Sequence, residues 1–209
     1  MEAFDAIPLE TRDFVDLGAV AAMPLETRHF EDLGAYLFEP MIERVCVAQQ
    51  RAAELLSART VWMVNSTAFG GGVAQLLRTL LPYWKGAGID VRWMVLRGSA
   101  EFFRVTKRFH NHLQGQPGDG DVLGREELRT LDRAAHYHAS ALAPLVSAGD
   151  VVVLNDPQTA AMSSPLERAG ANVIWCCHVG IDNDNEFSEN AWTCLRPRLA
   201  GVRCFVFSR

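Results

Sequence analysis

The sequence lacks long apolar runs and an excess of positive charge, and both absences narrow its class. No stretch of the 209-residue chain approaches the ~18 uncharged apolar residues that suggest a membrane-spanning helix. The N-terminus also lacks the basic-then-apolar order of a signal peptide. Its 20 Lys and Arg against 25 Asp and Glu leave a net charge of −5, which argues against a general nucleic-acid binder. We therefore expect a cytoplasmic globular protein with no membrane or nucleic-acid partner.

Residue patterns of metal sites and acyl-transfer enzymes are also missing. The five cysteines, Cys46, Cys176, Cys177, Cys194 and Cys204, include no C-x-x-C pair and lie mostly in apolar surroundings, so we expect buried thiols. His110 and His112 are two residues apart, as are His136 and His138, which points each pair to different sides of a helix. No G-x-S-x-G elbow is present. The sequence predicts no metal site and no resident cofactor.

A strand, a glycine loop, a helix and a second strand follow one another between Thr60 and Gly98. The apolar run Val61–Val64 leads to Gly70, Gly71 and Gly72, and the second apolar run covers 91–96. Between them an apolar stripe of helical spacing contains Val73, Leu76, Leu77, Leu80, Leu81 and Trp84. Such β-loop-α-β units place a ligand at the carboxyl end of the strand.

Four interpretations of the glycine loop compete. A phosphate-binding P-loop requires Gly-Lys-Ser/Thr, whereas Val73 and Ala74 follow Gly72. A dinucleotide fingerprint requires a third glycine where Gln75 stands, and an acidic end to the second strand where Arg97 stands. A tight turn without a ligand stays open. So does a ligand that approaches the glycines closely and uses the free N–H groups of the helix start, such as an anion or a sugar.

The rest of the chain alternates helices and apolar strands. Helices are predicted over 41–57, 100–113 and 125–146, with another around Ala191 and Trp192, and strands over 151–154, 171–176 and 202–207. This alternation predicts an α/β fold with a Rossmann-like, mostly parallel sheet and helices on both faces. In the helix predicted over 100–113, Phe102, Val105, Phe109 and Leu113 are expected to be buried, while Arg104, Lys107 and Arg108 form a basic strip.

Polar residues end three of these strands, at 65–72, 155–158 and 177–178. The carboxyl ends of parallel strands meet at one edge of a sheet. Backbone N–H donors, amides, a carboxylate and an imidazole would come together there. Because sugar hydroxyls both donate and accept hydrogen bonds, this set suits a polyhydroxylated ligand.

The first forty residues contain a near-duplication. The segment 8–19 recurs as 24–35, offset by sixteen residues. Two copies are too few for a solenoid. We interpret residues 1–40 as a surface arm with one dispensable copy, and residues 41–209 as the globular domain.

Several short motifs in order resemble the N-terminal domain of trehalose-forming glycosyltransferases. They are Val64-Asn-Ser-Thr67, Gly70-Gly-Gly-Val73, Glu101-Phe102-Phe103, Thr106-Lys107, His110-Asn111, Asp156-Pro157-Gln158, His178 and Phe205-Val-Phe-Ser208. That family, glycosyltransferase family 4, contains retaining trehalose synthases, with trehalose phosphorylases as close relatives. The resemblance runs from about Thr60 to the last residue. It implies one half of a GT-B fold, in which two Rossmann-like domains face each other across a cleft.

The resemblance also implies ligands and roles. The N-terminal domain would bind the acceptor, glucose, and the C-terminal domain the nucleotide-diphosphate glucose donor, without a metal. Gly70, Gly71 and Gly72 would lie against the acceptor and the donor phosphates, and His178 would be the catalytic contact to the transferred glucose. Further substrate contacts are assigned to Asn65, Ser66, Glu101, Asp156 and Gln158.

The chain departs from the family pattern at three positions and in length. Cys176 stands where the family usually has Arg, Asn155 where it often has His, and Gln75 where it usually has Glu. A two-domain enzyme needs roughly 400 residues, and this chain ends where the first domain ends. We therefore expect an acceptor-side domain that is inactive alone and whose exposed cleft, around Phe69 and residues 183–187, favours a homodimer. The alternatives are a stand-alone, non-catalytic sugar-binding or interaction domain and a nucleotide-dependent oxidoreductase domain, the latter disfavoured by Gln75 and Arg97.

Overall fold

A computed structural model of the chain describes residues 15–16, 18–36, 38–120 and 122–208. Seven strands form a single sheet. In chain order they are β1 (Val15–Asp16), β2 (Val20–Met23), β3 (Thr60–Asn65), β4 (Asp90–Leu96), β5 (Val151–Asn155), β6 (Asn172–Cys177) and β7 (Cys204–Phe207). The α/β prediction with a mostly parallel sheet is confirmed.

The strand order in the sheet is β1-β2-β4-β3-β5-β6-β7. The five strands from β4 to β7 pair in parallel, with Val64 opposite both Met94 and Leu154. β1 and β2 pair antiparallel at one edge. From β3 the chain goes to β4 on one side and then to β5 on the other, so the switch point lies between the carboxyl ends of β3 and β5. Open α/β sheets bind ligands at such a point.

Helices cover both faces of the sheet. They are α1 (Glu39–Leu56), α2 (Gly72–Gly86), α3 (Ala100–Leu113), α4 (Arg125–Leu142), α5 (Asp156–Thr159), α6 (Ser163–Arg168) and α7 (Glu186–Leu195), and the short 3₁₀ segments are Phe30–Ala35, Ala143–Leu145, Ala160–Met162 and Arg196–Leu199. One core cluster joins the strands to α3, α4, α6 and α7, with Trp62 and Trp175 among its largest members. The other joins them to α2 and the inner side of α1. The central strands are therefore buried on both faces, as their continuous apolar runs predict.

The predicted stripe of α2 is correct for Leu77 and Leu81 but wrong for Leu76, whose side chain is 47% exposed. Ala74, Leu77 and Leu81 face the sheet instead. These residues follow the i, i+3, i+7 spacing of one helix face. Leu76 therefore belongs to the outer side of the helix, close in sequence to the exposed glycine loop.

The surface-arm interpretation is wrong for residues 19–23. β2 completes the sheet against β4, and Ala19, Val20 and Ala21 are buried. The second copy of the repeat then runs along α2. The backbone N–H of Arg28 donates to Pro82 O at 3.1 Å, and the Phe30 ring packs on the Tyr83 ring with centroids 5.0 Å apart. Residues 1–14, which include most of the first copy, lie outside the described residues. The division at residue 40 stays a prediction.

The basic strip predicted on α3 is wrong for Arg108. Phe102, Val105, Phe109 and Leu113 are buried as predicted, and Arg104 and Lys107 are exposed. The Arg108 guanidinium is buried and binds the Asp119 carboxylate at 2.8 and 2.7 Å and Glu127 Oε1 at 2.9 Å. It also donates to Val122 O at 3.1 Å. A buried charge needs such partners, so Arg108 anchors the 114–124 connection instead of facing solvent.

The thiols differ in burial. Cys177 and Cys194 are buried, whereas Cys46 and Cys176 are half-buried and Cys204, on the edge strand, is exposed. The prediction of buried thiols is therefore wrong for Cys204, because β7 has a paired neighbour on one side only.

No helix in the part of the chain that the structure describes is long and apolar enough to cross a membrane.

Candidate functional site

Asn155 joins two strand ends at the switch point. It is the last residue of β5 and is 3% exposed. Its Nδ2 group donates to Val64 O in β3 at 2.9 Å, and its Oδ1 atom lies 3.1 Å from His178 Nε2. The side chain of Asn155 thus bridges the end of β3 to the residue that follows β6.

His178 is held at both ring nitrogens and at its backbone. Besides the contact to Asn155, its Nδ1 atom lies 3.0 Å from Ser208 Oγ, and its backbone N–H donates to Asp156 Oδ1 at 2.8 Å. The residue is half-buried and follows the last residue of β6. These contacts fix the ring at the carboxyl edge of the sheet, where the sequence places it.

Asp156 has an unusual backbone and an unusual carboxyl group. Its φ of 62° is the one positive value among the described non-glycine residues, a conformation that costs energy in most side-chain types. Its carbonyl oxygen accepts Trp175 Nε1–H at 2.9 Å. Burial raises the pKa of the Asp156 carboxyl, although the N–H and charge of His178 and the charge of His110 act against that rise. The carboxyl group therefore sits in a site that disfavours its charge.

Burial and nearby charges, including that of Asp156, also shift the pKa values of Cys176 and His110. Burial and the negative charge of Asp156 raise the pKa of the Cys176 thiol. Burial, with the charge of Lys107, lowers the pKa of His110, while Asp156 opposes that change. Because the Cys176 thiol is neutral, it supplies no positive charge to the Asp156 carboxyl.

Asn65 lies buried at the end of β3, where the glycine loop begins. It is 3% exposed, its Oδ1 accepts Trp93 Nε1–H at 2.7 Å, and its Nδ2 donates to Thr67 O at 2.6 Å. Both ends of its amide are thus engaged within the protein, and they fix the first residues of the glycine loop. Ser66 follows it at the half-buried start of the loop.

The glycine loop is exposed at the N-terminus of α2. Gly70 and Gly71 have φ values of 72° and 79°, which glycine adopts without strain. Gly71 is the N-cap of α2 and has no side-chain cap. A Cβ atom added to Gly70, Gly71 or Gly72 would meet nothing within 4 Å. No packing in the described residues therefore requires glycine at position 72, and its φ is not in the left-handed region.

An open cavity of about 450 Å³ lies beside this loop and includes Gly70, Gly71, Gln75 and Arg78. The Arg78 guanidinium stacks over the Phe69 ring at 4.3 Å and donates to Ala68 O at 2.5 Å. Phe69 is itself 46% exposed, and residues 183–186 are exposed with Phe187 half-buried. The predicted exposure is confirmed for Phe69 and residues 183–186 but not for Phe187.

Glu101 lies apart from these residues. It lines a different cavity of about 490 Å³ near the end of β4, with Arg97, Ser99, Arg133, Tyr137 and His138. Its Oε1 atom accepts Thr130 Oγ1–H at 2.8 Å. Gln158, in the short helix α5, is half-buried, and its Oε1 atom has no hydrogen-bond partner among the described residues. The structure thus brings Asp156 and His178 together and separates Glu101 from them.

Comparison with known proteins identifies the family. Residues 63–209 match the family described as trehalose synthase, N-terminal domain. The chain belongs to this family. It is 37% identical to the trehalose synthase of Pyrococcus horikoshii over 76% of this chain and 36% of that protein. It is 39% identical to that of Rubrobacter xylanophilus over 66% of this chain and 32% of that protein. The chain thus spans about a third of the length of these curated relatives.

A solved structure supports the fold alone. It is from E. coli and is described as trehalose-6-phosphate bound with UDP-2-fluoro glucose; it aligns with a TM-score of 0.52 and 16% identity over 70% of this chain and 39% of that one. The resemblance to trehalose synthases is therefore confirmed, and so is the similarity of the fold to one half of a GT-B fold.

In this trehalose synthase N-terminal domain, two contacts of His178 were not predicted from the sequence. Asn155 was predicted to lie at the same sheet edge as His178, and Ser208 was noted only as part of the terminal motif, but neither was predicted to contact the His178 ring, although each hydrogen-bonds one of its nitrogens. A pairing across 23 or 30 residues leaves no local signal. The register of Asn155 opposite Cys176 in β6 is what places it near His178.

Proposed function

We propose that the chain is the acceptor-side domain of a retaining glycosyltransferase that forms trehalose from a glucose nucleotide and glucose. In this proposal glucose or trehalose binds at the carboxyl edge of the sheet, between the glycine loop and His178. The donor's diphosphate is held by a second domain, and the chain is inactive alone. No metal or resident cofactor takes part.

One observation carries the proposal: glycine stands at position 72 without a structural need. Gly70 and Gly71 are explained by positive φ, so a tight turn accounts for them. Gly72 lies in α2, where glycine is a weak helix former, and open space surrounds its Cβ position. A ligand that approaches the backbone closely would explain the glycine.

The surroundings of the loop suit the proposed ligands. The uncapped N-terminus of α2 offers N–H groups and a positive helix dipole to phosphate oxygens. The ends of β5 and β6 supply the carboxyl group of Asp156 and the imidazole of His178, which bond hydroxyl groups. Asn65 belongs to the frame of the loop instead of the ligand-contacting set, since its amide is already bonded.

A substitution at Gly72 tests the proposal. Gly72→Val places a side chain in open space, and we expect the fold to keep its melting temperature within a few degrees. Glucose and trehalose signals in ligand-observed NMR should disappear in the variant, whereas the control Glu43→Val, at an exposed position of α1, should retain them. Equal sugar binding by wild type and Gly72→Val, with both folded, would overturn the proposed site.

A further inference from the structure

The hydrogen bonds of Asn155 determine which way its amide points. Val64 contributes a backbone carbonyl oxygen, which accepts and never donates, and it lies 2.9 Å from Asn155 Nδ2. The NH₂ group must therefore face Val64. The remaining end of the amide, Oδ1, then faces His178 Nε2 at 3.1 Å. Because Asn155 is 3% exposed, water does not compete for these partners.

An amide oxygen against Nε2 determines the tautomer of the imidazole. Oδ1 only accepts, so Nε2 of His178 must carry the proton. In a neutral ring the other nitrogen, Nδ1, then has a lone pair and accepts. Ser208 Oγ lies 3.0 Å from Nδ1, and its hydroxyl donates there.

We infer that Asn155 is a positioning residue that holds His178 in the Nε2–H tautomer, so that Nδ1 is presented to ligands as a hydrogen-bond acceptor. The ring would then bind a hydroxyl group that donates. Ser208, which is exposed, occupies this position in the free chain. A sugar hydroxyl would replace the Ser208 hydroxyl at Nδ1, and this last consequence rests on the proposed function.

The tautomer is measurable without any ligand. Long-range ¹H–¹⁵N correlation spectra of the full, ¹⁵N-labelled chain distinguish Nε2–H from Nδ1–H by the nitrogen shifts, and His178→Ala identifies the His178 signals by their loss. We expect the neutral ring of the wild type to be almost wholly Nε2–H. An Nδ1–H ring in the wild type would overturn the inference, whatever the variants do.

Matched variants separate the two contacts of the ring. Asn155→Leu removes the acceptor and should leave a mixture of both tautomers, whereas Asn155→Asp keeps an acceptor and should keep Nε2–H. Ser208→Ala removes the other contact and should leave the tautomer unchanged. A folded Asn155→Leu protein with the wild-type tautomer would show that Asn155 does not set it. If Asn155→Leu fails to fold, the wild-type spectrum still tests the tautomer, and an Nδ1–H ring there contradicts the role of Asn155.

A sugar titration tests the consequence for ligands. If a sugar hydroxyl replaces Ser208 at Nδ1, Ser208→Ala should bind glucose as tightly as the wild type or up to several-fold more tightly. Binding weakened more than about threefold would show that Ser208 itself contacts the sugar, and it would contradict the replacement. An Nε2–H ring without any glucose binding would remove the proposed function but leave the role of Asn155 intact.

Discussion

The backbone N–H of His178 donates to Asp156 Oδ1 at 2.8 Å, which joins the ends of β6 and β5 through a carboxyl group that burial makes harder to ionise. The raised pKa of Asp156 means that the folded chain binds the proton more tightly than the unfolded chain. The free energy of unfolding should therefore fall as the pH rises through the folded-state pKa of Asp156, above the usual range of an aspartate.

Substitutions of Asp156 should separate its charge from its hydrogen bond. Asp156→Asn keeps the acceptor, tolerates positive φ and removes the buried charge, so its melting temperature at pH 7 should equal or exceed that of the wild type. Asp156→Ala leaves the His178 N–H unpaired, at a cost of about 1–3 kcal/mol. Calorimetry at pH 4 and pH 7 checks both. An Asn variant less stable than the Ala variant would contradict this account.

A cation at position 176 should change the ionisation of Asp156. Cys176→Arg introduces a positive charge at this position, and an opposite charge within ~4–6 Å lowers a carboxyl pKa by about 1–3 units. We expect a lowered pKa for Asp156 in a ¹³C carboxyl titration. Cys176→Met, which adds volume without charge, is the control and should not lower it. Equal titration in all three proteins would show that the side chain at 176 does not reach the carboxyl group.

Arg108 should contribute strongly to stability although it lies outside the candidate site. Removing one partner of a buried ion pair costs about 3–5 kcal/mol. Asp119 is 40% exposed and can be rehydrated, so the lower figure is expected for Arg108→Met, roughly 6–12 °C in melting temperature. Lys107→Met, at the exposed neighbouring position, is the control. A change below ~1 kcal/mol on urea unfolding would contradict the structural role.

The Arg108 contact also predicts a loss of stability in acid. Burial opposes ionisation of Glu127, but the backbone N–H groups of Glu127 and Gly124, with the Arg108 guanidinium, outweigh it and lower the pKa of this carboxyl. The folded chain thus holds this proton less tightly than the unfolded chain. The stabilisation is present above the unfolded pKa and is lost as the pH falls through the folded value. Arg108→Met should reduce this dependence.

The parts of the fold that the sequence predicts are those with local patterns. β3, β4 and β5 are apolar runs because both faces are buried, and α3 shows a clean apolar stripe. β2 was not predicted, because Val20–Met23 is short, does not alternate between apolar and polar residues, and lies between the two copies of the repeat. The burial of Arg108 and the exposure of Leu76 were not predicted, because each depends on which helix face packs against the sheet or against a distant loop. The convergence of the strand ends could be predicted, because the carboxyl ends of parallel strands lie at one edge of a sheet. The separate position of Glu101 could not be predicted, because no local pattern indicates which cavity a helical residue lines.

The isolated chain should not form trehalose. The departing diphosphate needs preorganised positive charge, and in this proposal the second domain supplies it. Incubation with glucose and a panel of glucose nucleotides, followed by detection of trehalose, is the direct measurement. Turnover of even ~1 s⁻¹, an ordinary enzymatic rate, would overturn the assignment of an acceptor-side domain that is inactive alone.

The last prediction concerns the N-terminal repeat, whose two copies are offset by sixteen residues. The described contacts to β4 come from residues 20–23, between the two copies, and those to α2 come from the second copy, so deletion of residues 3–18 should change the melting temperature by only a few degrees. Deletion of residues 19–34 retains the first copy. The segment Ala6-Ile7-Pro8 would stand in for Ala22-Met23-Pro24, and Arg12 and Phe14 for Arg28 and Phe30.

Deletion of both copies, residues 3–34, should be much more damaging than either single deletion. It removes β2 altogether, including Val20, which is fully buried; burial of a valine contributes about 1.5–3 kcal/mol. Urea unfolding of the three deletion proteins measures the difference. If the 19–34 deletion is as unstable as the double deletion, the first copy does not substitute for the second. If neither single deletion folds, the repeat is not redundant, because both copies then contribute to the sheet edge at once.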